Sequence, residues 1–237
     1  MTTEGSHERA ISASWDANAD AWTTVVREGK IPSRAAATDA AIVAAISRYE
    51  PGRLLDVGCG EGWLARAAAA LDFDVVGVDG STRLIELAQA AGGGEFRVAT
   101  YADLARNAGA IGGTYSVIVL NFALLEEDVV PMLAALAKHL SGDGILLVQT
   151  VHPWTTCGDA PYVDGWRMET FDAFGGSFPS PMPWYFRTLG SWHRAISDAG
   201  LRIDRIEEPV HPETGRALSL LLTCSASTAH SALGAAH

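Results

Sequence analysis

The chain has 237 residues, 48% of them hydrophobic and 19% charged, with a formal net charge of −11; the length suits one large α/β domain and leaves ample apolar material for a core. A net anion with no basic run excludes nucleic acid and an anionic membrane surface as expected partners. Cys59, Cys157 and Cys224 are odd in number and lack CxxC spacing, which fits free thiols in a reducing compartment rather than a disulfide framework or a zinc site.

The opening "MTTEGSHERA" has no apolar signal core, and no apolar stretch nears the length of a membrane span, so a soluble cytoplasmic protein is expected. Residues 8–28 set Ile11, Trp15, Ala19, Trp22 and Val26 on one helical stripe, and a second helix is predicted from Ala35 to Tyr49 with Ile42, Val43, Ile46 and Tyr49 inward. From there short β-rich runs alternate with helical ones. Strands are predicted at 53–58, 73–79, 95–99, 115–121 and 145–151, and helices at about 62–71, 81–91 (capped by Ser81) and 128–140, with "SGDG" as a turn before the fifth strand. That alternation implies a doubly wound α/β fold around a mostly parallel sheet. After a helix in "TLGSWHRAISDAG", the runs 201–209 and 217–225 read as strands six and seven. The link "VHPETGR" is too short for a crossover helix, so the last strand is expected to run antiparallel. Residues 226–237 read as a frayed tail.

Residues 152–192 follow neither period. They hold ten of the nineteen Phe, Trp and Tyr residues and five of the ten prolines. A long stretch without regular structure is a functional lid or a disordered linker, and its aromatic content argues for the lid. The expected organisation is thus a single unit over 1–237: an N-terminal helical cap (1–50), a cofactor-binding core (51–151), a substrate lid (152–192) and a C-terminal helix with an antiparallel strand pair (193–225).

Ligands of open parallel sheets bind beyond the carboxyl ends of the strands, where strand order reverses. "LLDVGCGEGWLA" sits at that point, and Gly58, Gly60 and Gly62 remove every Cβ from one side of the loop, so that a ligand can approach the backbone. Asp79 ends the second strand 21 residues after Gly58, placed to accept both hydroxyls of a ribose. A tight turn and a helix cap would use the same residues, but strand, turn, helix, strand and acid stand in register. The spacing is GxGxG rather than the GxGxxG of dinucleotide folds, and Asp56 precedes the first glycine by two. A carboxylate there repels a pyrophosphate and favours a cationic ligand, an ammonium or sulfonium. This favours S-adenosylmethionine over NAD.

The chain here resembles the class I S-adenosylmethionine-dependent methyltransferases of the small-molecule kind. "LLDVGCGEGWLA" is similar to their first motif, "VVGVDGS" to their second-strand acid motif and "LSGDGILLVQTVHP" to their strand-five motif, with "SGDG" where "PGG" is usual; the likeness covers about residues 35–151. The resemblance implies S-adenosyl-L-methionine as cofactor and S-adenosyl-L-homocysteine as product. It implies Asp56, Gly58 and Cys59 beside the methionine moiety and Gly60 leaving room for the cofactor. Asp79 and Gly80 would lie at the ribose, and Thr100, Tyr101 and Ala102 near adenine, where Thr100 replaces the family's usual acid. Asn121 and Phe122 would lie by the methyl group, and Trp15 and Trp22 would close the site from the N-terminal helix.

The acceptor is less legible. A sulfonium is an activated donor, and positioning supplies much of the acceleration, so no strong catalytic signature is required and none is found. His152 and His211, expected in loops at the carboxyl ends of the strands, are the candidate general bases; His7, His139, His193, His230 and His237 read as structural. Trp154, Tyr185 and Arg187 are the candidate acceptor contacts, with Arg187 either holding an anion or pairing with a carboxylate that pins the lid. The expected partner is a small methyl acceptor, apolar, planar or anionic. The acids of "LLEED" (124–128) read as helix N-terminal acids rather than metal ligands. An NAD-linked oxidoreductase and a non-catalytic member of the same fold stand as alternatives.

Overall fold

Five β-rich runs precede residue 152, and in all but the third, "EFRV", apolar residues stand at consecutive positions, a pattern that is stable only when both faces of the sheet are covered. In a computed structural model describing residues 4–106, 111–175 and 177–227, these runs form strands β1 (Arg53–Val57), β2 (Asp74–Asp79), β3 (Glu95–Val98), β4 (Tyr115–Asn121) and β5 (Leu140–Val151). With β8 (Leu201–Glu207) and β9 (Ser219–Ala226) they make a seven-stranded sheet in the order β3-β2-β1-β4-β5-β9-β8. Every pairing among β1–β5 is parallel, and β9 runs antiparallel to both β5 and β8. The order reverses between β1 and β4, so the carboxyl end of β1 opens on the crevice.

Alternate residues of each strand feed opposite faces. Leu55, Val57, Ile118, Leu120, Leu146 and Val148 join one buried core, and Leu54, Val75, Val117, Val119, Ile145 and Leu147 the other. The second is covered by α2 (Asp39–Ile46), α3 (Trp63–Ala69) and α4 (Thr82–Ala91), and the first by α5 (Tyr101–Arg106), α6 (Val130–Ala137) and α8 (Leu189–Asp198). Ser81 caps α4, accepting from the Leu84 amide.

Four local expectations need correction. The predicted helix 35–49 divides into a π-helical turn, Arg34–Thr38, running into α2. "SGDG" is not a turn: β5 extends through it, and Gly144 passes so close to Tyr115 that a Cβ would lie 2.7 Å from its carbonyl oxygen. Helix α5 was not foreseen; it starts at a reciprocal cap in which Thr100 and Asp103 exchange side-chain and amide bonds. The aromatic segment is also regular. A short helix, α7 (Pro153–Cys157), leads to β6 (Gly165–Glu169) and β7 (Met182–Phe186), an antiparallel ribbon pairing Gly165 with Phe186 and Glu169 with Met182. Pro183 inside β7 and aromatic residues on both of its faces hid the two-residue alternation.

Helix α1 (Glu4–Arg27) lies over the crevice and touches both the core and the ribbon. The Asn18 side chain, fully buried, donates to the Ser180 carbonyl (2.6 Å) and accepts from the Ser180 amide (3.2 Å). Further along, Asp20 pairs with Arg83 of α4, and Arg27 with Glu61 after β1. Ile11, Phe171 and Met182 form a small third core where helix and ribbon meet. Among the described residues no helix is long and apolar enough to cross a membrane. The predicted tail beyond residue 227, with His230 and His237, lies outside the described residues.

Candidate active site

A cavity of about 320 Å³ lies between the carboxyl ends of β1, β2 and β4 and the roof made by α1 and the ribbon. At its floor the three loop glycines do different things. All have positive φ: +72° at Gly58, +55° at Gly60 and +82° at Gly62, which any side chain would strain. A Cβ on Gly58 would strike Ala123 Cβ at 2.6 Å, and one on Gly62 would press on Phe96 and Ala88 at 3.0–3.1 Å. Those two glycines let protein pack on protein. Only at Gly60 is the Cβ direction open, with Trp22 Nε1 at 3.9 Å the first atom met. The expectation that all three clear space for a ligand therefore narrows to Gly60.

Asp79 stands beside it. Its Oδ2 accepts from the Gly60 amide and its Oδ1 from the Ser81 amide, both at 2.9 Å, and each oxygen keeps a further lone pair for a hydroxyl. Burial pushes its carboxyl upward against the pull of these amides. Asp56 lies beneath the loop, 1% exposed, and does not line the cavity. Its Oδ2 has no hydrogen-bond partner among the described residues, and burial, followed by the nearby Asp79, raises its carboxyl to about 7. An orphaned buried acid under an open backbone edge is the electrostatic complement of a cation. Glu61, also buried, is satisfied by Arg27 Nε and Arg66 Nη2, both at 2.8 Å; it fastens α1 to the glycine loop.

Cys59, Gly80, Thr100, Tyr101, Asn121 and Phe122 line the same end, as do Trp15 and Trp22 from above. Thr100 spends its hydroxyl on Asp103, and Tyr101 turns its phenol to the Ala123 carbonyl. Asn121 Oδ1 accepts from Gln149 (2.8 Å). Phe122 holds a left-handed φ of +54°, costly for an aromatic residue and typical of functional turns. Ala102 faces outward on α5 and leaves the expected adenine set.

The ribbon end is aromatic. Trp15 and Trp22 meet edge to face at 5.2 Å, Trp22 meets Phe174 at 5.9 Å, and Phe171 stacks on Phe178 at 4.6 Å. Tyr185 and Arg187 line the cavity as expected. Among the described residues Arg187 pairs with no carboxylate. Its Nη2 donates to the carbonyls of Glu126 and Glu127, its plane lies against Tyr185 and Trp192, and its buried Nη1 has no partner among the described residues. Burial lowers its guanidinium to about 10.

Three expected contacts fall outside. His152 is spent elsewhere: its Nε2 meets Glu208 at 2.7 Å, its Nδ1 caps α7, and it does not line the cavity. His211 borders a separate pocket with Thr155, Thr214 and Arg216 and accepts from the Glu213 amide. Trp154 is 69% exposed and packs on Tyr162. Both histidines are withdrawn as bases and Trp154 as an acceptor contact. The acids of "LLEED" precede α6 rather than open it, and Glu126 lines the cavity. Glu61 and Asn18 escaped the sequence reading because each works through a partner far along the chain, Arg27 and Ser180 respectively, and Glu126 was read only as a helix N-terminal acid. Among the described residues no group of three or more His, Cys, Asp or Glu is placed to hold a metal ion.

Residues 33–206 match a family described as a methyltransferase domain. The chain is similar to the ubiquinone biosynthesis O-methyltransferase of Parvibaculum lavamentivorans, with 31% identity over 177 residues, 68% of this chain and 63% of that protein. The protein of the same description from Bartonella quintana shares 33% over 125 residues, 50% of this chain and 51% of its own. The chain thus spans less than two thirds of the length of either relative. Among solved structures it resembles magnesium protoporphyrin IX methyltransferase from Synechocystis PCC 6803 with bound SAH, at a TM-score of 0.63 and 19% identity, covering 92% of this chain and 98% of that one. The CcbJ methyltransferase of Streptomyces caelestis gives 0.61 and 17%, covering 92% and 99%. These likenesses show the fold.

Proposed function

The chain belongs to the methyltransferase-domain family, and on that premise we propose that it transfers a methyl group from S-adenosylmethionine to a small-molecule acceptor. The observation that carries this reading is the pairing of the open Gly60 edge with the Asp79 carboxylate at one end of an aromatic cavity. Asp79 would hold the ribose hydroxyls, Gly60 would let the nucleoside lie against main chain, and Asp56 would balance the ligand's positive charge from below. Asn121, Phe122, Trp15 and Trp22 would enclose its reactive end. The cofactor, when bound, supplies a methyl group already activated on a sulfonium. What remains for the protein is to align the acceptor and keep water out.

Helical cap, core, lid and C-terminal strand pair are then parts of one catalytic unit, with the ribbon as lid. Its ring faces suit a planar or apolar acceptor, and Tyr185 and Arg187 are its expected contacts. The relatives named for O-methylation support oxygen as acceptor atom. A nicotinamide dinucleotide is disfavoured by the loop below the cavity, where the buried Asp56 keeps an unpartnered carboxylate oxygen that repels a pyrophosphate when ionised. The test has two stages. Calorimetry is expected to show S-adenosylhomocysteine binding and NAD failing to bind. Incubation with labelled cofactor and a metabolite extract, read by mass spectrometry, is then expected to show one small molecule gaining the label. Absence of nucleoside binding would end the proposal.

A further inference from the structure

We propose that Glu126 takes the proton of the acceptor, and therefore that the acceptor atom is a protic oxygen or nitrogen; this rests on the methyl-transfer reading above. Glu126 lies in the segment 122–127, between β4 and α6, which joins the two ends of the cavity. From the glycine side, Tyr101 donates to the Ala123 carbonyl. From the ribbon side, the Tyr185 amide donates to the Leu125 carbonyl at 2.8 Å, and Arg187 donates to the carbonyls of Glu126 and Glu127. The main chain at Glu126 is thus fixed from both directions, as a group that must meet a reacting atom requires.

Among the described cavity acids that are not exposed, its side chain is the one left without a partner. Asp79 is engaged by the amides of Gly60 and Ser81, Glu61 by Arg27 and Arg66, and Glu169 by the Phe171 amide, while Glu8 is exposed. The Glu126 carboxylate is half-buried, lines the cavity, and has no hydrogen-bond or ion-pair partner among the described residues. Among the described residues no histidine lines the cavity to compete for the role. The groups that act on it are Glu8 from α1, Arg187 after β7 and Asp128 from its own segment, and its charge is felt by the Tyr101 phenol of α5. Burial and then Glu8 raise it, Arg187 opposes them, and the outcome is about 7, a value matched to proton abstraction at neutral pH.

In the reaction, the acceptor's O–H or N–H proton passes to a Glu126 carboxylate oxygen. The heteroatom's electron pair forms the bond to the methyl carbon, and the pair of the broken S–CH3 bond stays on sulfur. One cation and one carboxylate become two neutral groups, so no charge is stranded in an apolar space.

The decisive measurement is a carbon-13 NMR titration of protein labelled at glutamate Cδ, free and saturated with S-adenosylhomocysteine. One resonance is expected to titrate near neutrality and to vanish in Glu126→Asp and Glu126→Gln, while both variants bind S-adenosylhomocysteine as the wild type does. With the acceptor identified in the extract, Glu126→Gln is expected to lower kcat about 10²–10⁴-fold, leave KM unchanged and erase the acid limb of the pH profile. Glu126→Asp is expected to restore part of the rate. An ordinary carboxylate midpoint for Glu126, or wild-type kcat and pH profile in Glu126→Gln, would overturn the assignment. Failure of the wild type to bind the nucleoside would overturn the methyl-transfer reading instead, whatever the titration shows.

Discussion

At the glycine end of the cavity the wall is main chain: Gly60 faces the space and Asp79 hangs from two backbone amides. At the ribbon end the wall is side chain, with Trp15 from α1, Phe171 and Phe174 between the ribbon strands, and Tyr185 from β7. At the first end a left-handed backbone and an absent Cβ at Gly60 are the working parts. The second offers ring surface, which neighbouring rings can share. A fixed donor and a variable acceptor would be expected to leave this contrast.

The contrast can be broken most severely at Gly60. Gly60→Val is expected to abolish S-adenosylhomocysteine binding in calorimetry, since the side chain enters the cavity. The strained left-handed backbone adds a stability loss of ~1–3 kcal/mol, visible as a lower Tm. Asp79→Ala comes next. Two charge-assisted hydrogen bonds at ~1.5–3 kcal/mol each imply a fall in nucleoside affinity of at least tenfold, with the fold retained in circular dichroism. The ribbon end gives a smaller and different response. Asn18→Ala takes away the acceptor of the Ser180 amide and leaves the Ser180 carbonyl to the Ser14 hydroxyl at 3.3 Å, at a stability cost of ~1–3 kcal/mol. Amide exchange is expected to accelerate in β6 and β7 more than in β1 and β2.

The mildest test uses pH. The Asp56 carboxyl, raised to about 7, lies above the ~3.9 of an unfolded aspartate. Between those values the folded protein holds more protons than the unfolded one, so stability falls as pH rises through the window. Glu126 adds in the same direction. Asp56→Asn is expected to shrink the difference in Tm between pH 5 and pH 8, while Asp103→Asn, whose carboxyl is held low by its bonds to Thr100, is expected to leave it unchanged.

The same contrast decides what the sequence could reveal. The sheet and its antiparallel last strand were legible because buried parallel strands must read as apolar runs and a seven-residue link admits no crossover. Gly60 and Asp79 were legible because a strand, a turn and an acid lie close together along the chain. The helix 101–106 was missed because its start is a side-chain exchange between Thr100 and Asp103 rather than a hydrophobic period. The ribbon was missed because Pro183, inside β7, breaks the residue pattern by which a strand is read. His152 misled for another reason: topology put it at the correct end of β5, but a ring nitrogen within 2.7 Å of Glu208 is set by residue 208, and nothing near residue 152 announces it. Glu126 escaped for a similar reason, since its isolation is defined by carboxylates elsewhere that found partners.

Strands β6 and β7 pair with each other and with no strand of the main sheet among the described residues. Their ladder is closed on itself, and the bonds that hold Asp79 to the amides of Gly60 and Ser81 involve neither strand. On the methyl-transfer reading, selectivity for the acceptor would then be open to redesign through the ribbon, with the glycine end left as it is.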